Sequence, residues 1–451
     1  MSMLSEHELA DPGYQRDLGD GLIIRWSTAA DTEQVASLIG SVFRNTANEP
    51  TNEHMMDRTR HQMRGDSPLM GSSDYAVVLD PARPEQQVIA CACLWHHTWE
   101  FAEQPFGVGR PEYVAVHPDY RHRGLIRAIF ELLHARSATM GHRIQVITGI
   151  PHFYRQFGYE YALELEGARI APLSLIPVAS FDTEEPYLLR LATVDDIPQL
   201  MALFDRRREE MLVWGTATPE DWRYEIVEWA DPTAPGKRSE YMLITDGAGA
   251  VVGFLEMATK RWSAYLSVSQ FGTVPGGNVR VMLPSVLRAM AAKGQSAPTI
   301  HTKEPLRGIR FQLGQRHPVY DALGTNLAPG SEPPYAWYVR VADVPDFLRF
   351  IAPVLEQRLA ASVLAGYTGE TKVNMYRGGL RLAFEDGRLT TAESWHPPIF
   401  GDEAGAGCPP LVFLQLLFGY RTLEELCYAF PDVWAEGDAQ LLLKVLFPKC
   451  P

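Results

Sequence analysis

The sequence predicts a mixed fold: two α/β units over residues 21–176 and 187–323, and an α+β unit over 335–451. Three observations predict it. A strand–helix pattern occurs twice, and one strand ends in a basic turn just before a helix. A Pro- and Gly-rich stretch then precedes a segment with a different order of helices and strands. Each unit is then of ordinary domain size.

Composition places the chain among folded, multi-domain proteins. It has 451 residues, of which 46% are hydrophobic and 21% charged. The formal net charge of -14 argues against nucleic-acid binding and fits attraction of cationic small molecules, although it equally fits a protein that is merely soluble. The five cysteines form no even framework, and no leader-like or membrane-length apolar run occurs, so we expect a cytoplasmic protein.

The internal repeat defines the two α/β units. IRWSTAADTEQVASLI, from Ile24, matches LRLATVDDIPQLMALF, from Leu189, and each predicts a strand, a Thr/Asp helix start and an amphipathic helix. Further on, YAVVLD corresponds to YMLITD. The equivalent positions are Arg25 and Arg190, Thr28 and Thr193, Asp31 and Asp196, Val35 and Leu200, and Leu38 and Leu203.

The third unit follows GTNLAPGSEPPYAW (324–337), which predicts a linker because Pro and Gly dominate it. After it we expect one amphipathic helix over 341–360, strands with Gly turns over 371–393, and helices over 409–430 and 439–447. This helix–sheet–helix order is of the α+β kind.

The stretch VAVHPDYRHRGLIRA (114–128) carries the chemistry. It predicts a strand, a basic turn and a helix N-terminus, where free backbone N–H groups and the helix dipole favour an anion. Gly124 would let a phosphate approach the backbone, and Arg121, His122 and Arg123 would add positive charge. The alternative is a basic helix start on a solvated surface, although basic residues there oppose the dipole.

This pattern resembles the acetyl-CoA pyrophosphate loop of the GNAT acetyltransferases. The string VAVHPDYRHRGLIRAIF, with HFYRQFGYEYA downstream, is similar to the enhanced intracellular survival (Eis) branch of that superfamily. Members of this branch have two tandem GNAT domains and a C-terminal sterol-carrier-protein-2-like domain, an order that matches the three units. They assemble as hexamers, so the resemblance implies a homo-oligomer.

The resemblance assigns an acetyl-CoA site to the first unit. Val114, Ala115 and Val116 would pair with the pantetheine arm, and Gly149 and Ile150 would line the end of the next strand. Many GNAT proteins have Gly or Ala at the position of Ile126, where this branch has Leu. The pyrophosphate would be held by the backbone from His122 to Arg127, that is by His122, Arg123, Gly124, Leu125, Ile126 and Arg127, next to Arg121.

The resemblance also assigns catalytic roles. Tyr154 matches the general-acid tyrosine, with a packed core tyrosine as the alternative, and the backbone N–H of Val116 would meet the oxyanion. The branch uses its C-terminal carboxylate as base, which implies Pro451. Few residues follow Phe447, however, so a water relay or an inactive chain remain alternatives.

The acceptor would be a small-molecule amine or a lysine side chain. Phe43 and Tyr113 match aromatic walls of the family's acceptor pocket. Relatives that acetylate polyamines and aminoglycosides have Asp where this chain has Asn45, which removes one attraction for a multiply charged amine.

Several other signals are set aside. The second unit lacks R-x-x-G and has Pro284, which we expect to interrupt its helix, so one acetyl-CoA per chain follows. His96 and His97 point to opposite faces of a strand, and Cys91 and Cys93 lack further ligands, so no metal is expected. DGAGAVVG, from Asp246, predicts a hairpin turn rather than a phosphate loop.

Two functions therefore compete. The first is an acetyl-CoA-dependent N-acetyltransferase, favoured by the intact loop and Tyr154. The second is a non-catalytic acyl-CoA- or lipid-binding protein, favoured by the short tail and Asn45. In this branch the third unit is more often a brace than a lipid site.

Overall fold

A computed structural model describes residues 4–44, 46, 48–65, 67–179, 184–229, 231, 234–300, 304–398 and 403–450. Asn45 and Pro451, both singled out by the sequence, lie outside the described residues. The described chain builds three β-sheets of nine, seven and five strands, with helices packed on their faces. This mixed α/β architecture confirms the predicted fold class.

The strands are β1 (Gln15–Gly19), β2 (Leu22–Trp26), β3 (Tyr75–Leu79), β4 (Val88–Phe101), β5 (Gln104–Val116), β6 (Ile144–Ile147), β7 (Glu160–Leu165), β8 (Ala168–Pro172), β9 (Tyr187–Leu191), β10 (Val213–Gly215), β11 (Ser239–Asp246), β12 (Val251–Ala258), β13 (Tyr265–Thr273), β14 (Gly308–Phe311), β15 (Gly330–Glu332), β16 (Tyr335–Val341), β17 (Gly369–Asn374), β18 (Gly379–Glu385), β19 (Arg388–Trp395), β20 (Ala406–Gly407) and β21 (Trp434–Ala435).

The α-helices are α1 (Glu6–Ala10), α2 (Thr32–Val42), α3 (Glu53–Met63), α4 (Leu125–Thr139), α5 (Ile197–Phe204), α6 (Pro219–Arg223), α7 (Val279–Ser296), α8 (Pro318–Leu327), α9 (Val344–Phe350), α10 (Ala352–Ala360), α11 (Pro410–Leu417), α12 (Leu423–Ala429) and α13 (Gly437–Leu446). None of the helices in the described residues has the length and apolar character of a membrane span.

Strand order defines the three sheets. The first runs β1-β2-β3-β4-β5-β6-β16-β7, with β10 paired to β4. The second runs β15-β8-β14-β13-β12-β11-β9, and the third β19-β18-β17-β20-β21. The first two sheets correspond to the two copies of the repeat, although they exchange strands at their margins.

The repeat has a structural cause that is the same in both copies. The Arg25 guanidinium makes two hydrogen bonds of 2.8 Å to the Asp31 carboxylate, which also accepts from the Thr28 backbone N–H at 2.7 Å. In the second copy the Arg190–Asp196 hydrogen bonds are both 2.7 Å. Each Asp therefore caps a helix start and ties it to the preceding strand.

The stretch predicted as a linker is part of two sheets, and that prediction is wrong. β15 pairs with β8, and β16 lies between β6 and β7. Proline fixes an extended φ that suits the start of a strand. The strand after Pro334 buries Ala336, Tyr338 and Val339, so the prolines mark the start of a strand and not a linker. The sheets therefore do not follow the predicted boundaries 21–176, 187–323 and 335–451.

Two helix predictions are also corrected. Helix α7 continues through Pro284, because its buried face, which includes Leu283, Leu287 and Met290, holds it against the second sheet. The single helix predicted over 341–360 is two helices, α9 and α10, that meet at Ile351, with Pro353 in the first turn of α10.

The first sheet is covered on both faces. Helices α1 and α4 pack on one face, and α2 and α3 on the other. Toward the ends of β4 and β5 the core is continuous with the third unit: the Phe101 ring lies 5.7 Å from Phe347 and 6.0 Å from Phe418. The third unit therefore braces the sheet that carries the candidate site.

Candidate active site

Strands β5 and β6 separate along their length and open a gap in the first sheet. They pair only at Val108–Ile144 and Gly109–Gln145. Beyond Gly109, no described strand pairs with the edge of β5 that faces β6. Such an edge presents free backbone N–H and C=O groups, which can bind an extended, amide-containing ligand.

A β-bulge turns the open edge of β5. Cys93 pairs with Glu112 but Cys91 pairs with Ala115, so β5 has one extra residue there, and Tyr113 has a φ of 52°. The His117 N–H donates to the Ile89 carbonyl (2.8 Å) on the β4 side. Because alternate residues bond to opposite sides, the Val116 N–H faces the gap.

The predicted anion loop has the expected geometry. Gly124 (φ 77°) caps α4 without a side-chain hydrogen bond, and His122 has a φ of 64°. The backbone N–H groups of residues 122–126 donate to no acceptor in the described part of the chain. The Arg127 N–H instead donates to the Gly124 carbonyl (3.0 Å). Five consecutive amides are thus free for an anion.

Cationic side chains surround this loop. The Arg123 guanidinium lies 4.9 Å from the centre of the Tyr120 ring, whose hydroxyl donates to Asp80. The Arg83 guanidinium lies 5.6 Å from the centre of the same ring, and the Arg127 guanidinium lies 5.4 Å from the centre of the Phe157 ring. These contacts pre-order long side chains beside the free amides, which favours a multiply charged anion.

Tyr154 lies at the end of the gap. It belongs to the short 3₁₀ helix Phe153–Phe157 and is buried, with its ring 5.8 Å from Phe130. Gly149 has a φ of 141°, which other residues rarely adopt, and a Cβ built on it would lie 3.3 Å from the Tyr154 hydroxyl oxygen, a close contact. Burial, with a contribution from the Glu112 charge, raises the pKa of Tyr154 well above its usual value, so the phenol stays protonated.

The predicted aromatic wall lies on the α2 side of the gap. The Phe43 ring is 6.3 Å from Tyr113 and edge-on to it, and Tyr113 is 5.7 Å from Trp95. Phe43 is 37% exposed whereas Tyr113 is buried, so only Phe43 offers a wide face to a ligand. Ile150, at the far side of the gap, is 63% exposed.

A charged pair in the gap was missed by the sequence reasoning. The Arg110 guanidinium bonds to the Glu112 carboxylate (2.6 Å) and lies 4.9 Å from the Trp95 ring and 4.6 Å from the Trp337 ring. Glu112 directly precedes the bulge and lies close enough to Tyr154 to affect its pKa. The available signal was a carboxylate two residues before the VAV run of the same strand.

The C-terminal tail is anchored on the third unit. The Cys450 N–H donates to the Gly419 carbonyl (3.1 Å), and Lys449 pairs with Glu425 (2.7 Å). Cys450 and Trp337 both line a cavity of about 390 Å³ between the three sheets. The described tail therefore ends at a cavity that Trp337, one of the two tryptophans around Arg110, also lines, while the proposed base Pro451 lies outside the described residues.

The second sheet differs at the equivalent place. Strands β13 and β14 pair over four residues, from Tyr265–Gly308 to Val268–Phe311. At the start of α7 the Asn278 side chain accepts from the Val281 N–H (3.3 Å), in place of the uncapped glycine of the first unit. This helix start has a side-chain cap that accepts from one of its amides, which leaves less free donor capacity for an anion than the loop of the first unit.

The signals set aside have structural roles. Asp246–Val251 forms a hairpin turn between β11 and β12, as predicted. Burial lowers the pKa of His97 to about 3 and raises the pKa of Cys91 and Cys93. No group of three potential metal ligands occurs among the residues that the structure describes.

Comparisons with known proteins agree with this geometry. Residues 23–162 match the family model described as "Acetyltransferase (GNAT) domain". No curated protein sequence matches the chain. The solved structures to which it is similar include a probable N-acyltransferase from Enterococcus faecalis V583, with 14% identity, 95% of this chain and 98% of that chain covered, and a TM-score of 0.66.

Two further structures resemble the chain over nearly its whole length. A GCN5-related N-acetyltransferase from Kribbella flavida has 17% identity, 95% and 96% coverage and a TM-score of 0.60. Eis1 from Mycobacterium abscessus has 15% identity, 95% and 98% coverage and a TM-score of 0.56. Residues 23–162 thus form an acetyltransferase (GNAT) domain, and the protein is an acyltransferase.

Proposed function

We propose that the protein is an acetyl-CoA-dependent N-acetyltransferase acting on a primary amine of a small molecule, of aminoglycoside or polyamine type, or on a lysine side chain. One observation carries the proposal: five free backbone amides and a ring of cations lie at the end of a strand whose open edge faces a gap. This combination suits a thioester that carries both amides and a pyrophosphate.

Each part of the gap has a share in binding. The open edge of Val114, Ala115 and Val116 would pair with the pantetheine arm, and the amides of 122–126 would hold the pyrophosphate. Arg121, Arg123 and Arg127 would neutralise its charge. Gly149 and Ile150 would close the far side. The Tyr113 bulge supports this division, because a bulge bends its strand and this one directly precedes the residues proposed to pair with the pantetheine arm.

The acyl group would be polarised by the Val116 N–H. That group faces the gap, where a developing oxyanion would accept its hydrogen bond. Tyr154, protonated at neutral pH because its pKa is raised, would donate to the departing thiolate.

The acceptor must lose a proton before attack. A lysine-like amine has a pKa near 10.4, so only about one in 10³ is neutral at pH 7. We assign the proton acceptor to Glu112, acting directly or through water, because its ion pair with Arg110 holds the carboxylate in place and its charge acts on Tyr154. The anchoring of Lys449 and Cys450 is the reason to prefer Glu112 over the tail.

The location and the oligomeric state are proposed from the resemblance to the Eis branch. We propose a cytoplasmic homo-oligomer, of which the hexamer is the form found in that branch. The third unit then serves as a brace for the catalytic sheet, in agreement with the core it shares with Phe101.

A kinetic comparison tests the assignment of Glu112. Glu112→Gln keeps the shape but removes the proton acceptor, so kcat should fall at least about tenfold, within the usual range for general bases. Glu370→Gln, which breaks a comparable Glu–Arg pair on the third sheet, is the matched control and should leave kcat unchanged. An unchanged kcat in Glu112→Gln would exclude Glu112 as the base and would favour the C-terminal carboxylate or water in that role.

A further inference from the structure

Three tyrosine hydroxyls form a chain beside Tyr154. The Tyr338 hydroxyl lies 2.7 Å from that of Tyr161, which lies 2.8 Å from that of Tyr335. The Tyr335 hydroxyl donates to the Gly149 carbonyl (3.3 Å), and the Tyr338 hydroxyl lies 3.4 Å from the Ile150 carbonyl. We call Tyr161, Tyr335 and Tyr338 the tyrosine triad.

The three protons of the triad can fill three of its four contacts, and one arrangement fills the three shortest, of 2.7, 2.8 and 3.3 Å. Each phenol has a single proton, and the Gly149 carbonyl can only accept. Tyr335 therefore donates to Gly149, Tyr161 donates to Tyr335, and Tyr338 donates to Tyr161 along the shorter of its two contacts. Hydrogen bonds in such a chain polarise one another, so the whole chain holds the carbonyl at its end.

The triad includes two residues of β16, the strand that the sequence analysis predicted as part of a linker. Tyr335 and Tyr338 lie on β16 and Tyr161 on β7, whereas Gly149 and Ile150 follow β6. The Tyr161 and Tyr338 rings are stacked, with centres 4.0 Å apart. Tyr338 is fully buried, so the two rings form a rigid platform under the loop.

The triad reaches Tyr154 by two routes. The Tyr338 ring packs at 5.5 Å against the Tyr154 ring. The carbonyl that Tyr335 holds belongs to Gly149, over which the Tyr154 hydroxyl lies. A shift of the loop would therefore move the hydroxyl relative to the reacting sulfur.

We propose that the tyrosine triad positions Tyr154 for proton donation to the departing thiolate. This inference rests on the proposed acetyl transfer. It makes Tyr161, Tyr335 and Tyr338 positioning residues, and it makes β16 part of the catalytic apparatus of a domain that precedes it in the chain.

A double-mutant cycle tests the proposal. Tyr161→Phe removes the central hydroxyl and keeps both rings, and Tyr154→Phe removes the proton donor. We expect Tyr161→Phe to lower kcat about tenfold in the wild-type background and less than about twofold in the Tyr154→Phe background, because groups that act through one another are not additive. An equal loss in both backgrounds would overturn the proposal.

A second measurement does not depend on turnover. Deuterium exchange of the amides in 149–154 should become faster in Tyr161→Phe. The matched control is Tyr320→Phe, which removes a hydroxyl bonded to the Phe311 (2.9 Å) and Gly314 (3.1 Å) carbonyls of the second unit and should leave 149–154 unchanged. Unchanged exchange in Tyr161→Phe would overturn the positioning role even if the wild-type protein proved inactive, an outcome that would separately refute the acetyl transfer.

Discussion

Gly124 shows how one residue links backbone conformation to ligand binding. Its φ of 77° is in the left-handed region, and a Cβ built there would meet nothing within 4 Å. The space beside Gly124, which belongs to the loop with the free amides of 122–126, is thus open. A side chain would have two effects, backbone strain and obstruction of the anion, and these can be separated by a suitable control.

The control is Gly249, in the hairpin turn between β11 and β12. It has a φ of 81° and equally open surroundings. Both Gly124→Ala and Gly249→Ala should therefore lower the free energy of unfolding by a similar amount, about 1–2 kcal/mol. Only Gly124→Ala should weaken acetyl-CoA binding, by about tenfold or more, as measured by calorimetric titration. Equal affinities for the two variants would exclude the loop as the pyrophosphate site.

At this scale the sequence predicted the residues of a contiguous motif. The loop 121–127 and Tyr154 could be proposed from the sequence because their pattern is local. Glu112 and the tyrosine triad could not, since their roles depend on contacts between strands far apart in sequence: Tyr161 and Tyr335 are 174 positions apart. Nothing in the string PPYAWYVRV indicates which strand it will join.

Helix α7 is an element in which tertiary packing overrides local propensity. Pro284 lacks the N–H that would bond to the Arg280 carbonyl, a loss that usually costs about 3 kcal/mol in a helix interior. The helix persists because Leu283, Val286 and Leu287 are buried against the second sheet. The sequence predicted a break because the proline is visible locally and the buried face opposite it is not.

Replacing this proline should stabilise the protein. Pro284→Ala restores one backbone hydrogen bond, so the free energy of unfolding should rise by about 1–3 kcal/mol, measured by urea denaturation. Pro318→Ala is the matched control, because Pro318 occupies the first position of α8, where no hydrogen bond is lost. A Pro284→Ala variant no more stable than the wild type would mean that α7 is kinked in solution. Transferase activity should be unchanged in both variants.

The predicted linker shows that predicting each element from its own sequence does not reveal which sheet the element joins. Its prolines do mark a break between elements, but the element that follows them is β16, which lies between β6 and β7 in the first sheet. A strand inserted from a distant segment is predicted only when the open edge that receives it is known. In the same way, β8 joins the second sheet because it pairs with an edge of β14, which local sequence does not indicate.

The whole molecule buries several histidines in the neutral form. Desolvation lowers the pKa of His54 and His142 to about 4, and of His134 and His317 to about 3. His317 accepts from the Val319 N–H at Nδ1 (3.1 Å), and its Nε2 lies 3.1 Å from the Phe271 carbonyl. Protonation of Nδ1 would break the first contact, so the neutral ring is the one that fits.

These histidines make the fold sensitive to acid. Between the unfolded pKa of about 6.5 and the lowered folded values, only the unfolded chain binds protons, so stability is complete above about pH 6.5 and falls as the pH drops. Each such histidine contributes a slope of at most about 1.4 kcal/mol per pH unit. Urea midpoints measured from neutral pH to pH 5 should decline, and His317→Asn should decline less steeply. An identical slope for His317→Asn and for the exposed control His7→Asn would contradict this account.

The central claim is that the loop 122–126 holds acetyl-CoA for transfer to an amine. Its most direct test is thiol release from acetyl-CoA near neutral pH, with polyamines, an aminoglycoside, free lysine and a lysine peptide as acceptors, and Arg123→Glu as the control. We expect amine-dependent thiol release that Arg123→Glu abolishes. Stabilisation of the fold by acetyl-CoA without consumption of any amine would contradict it and would favour the acyl-CoA-binding alternative.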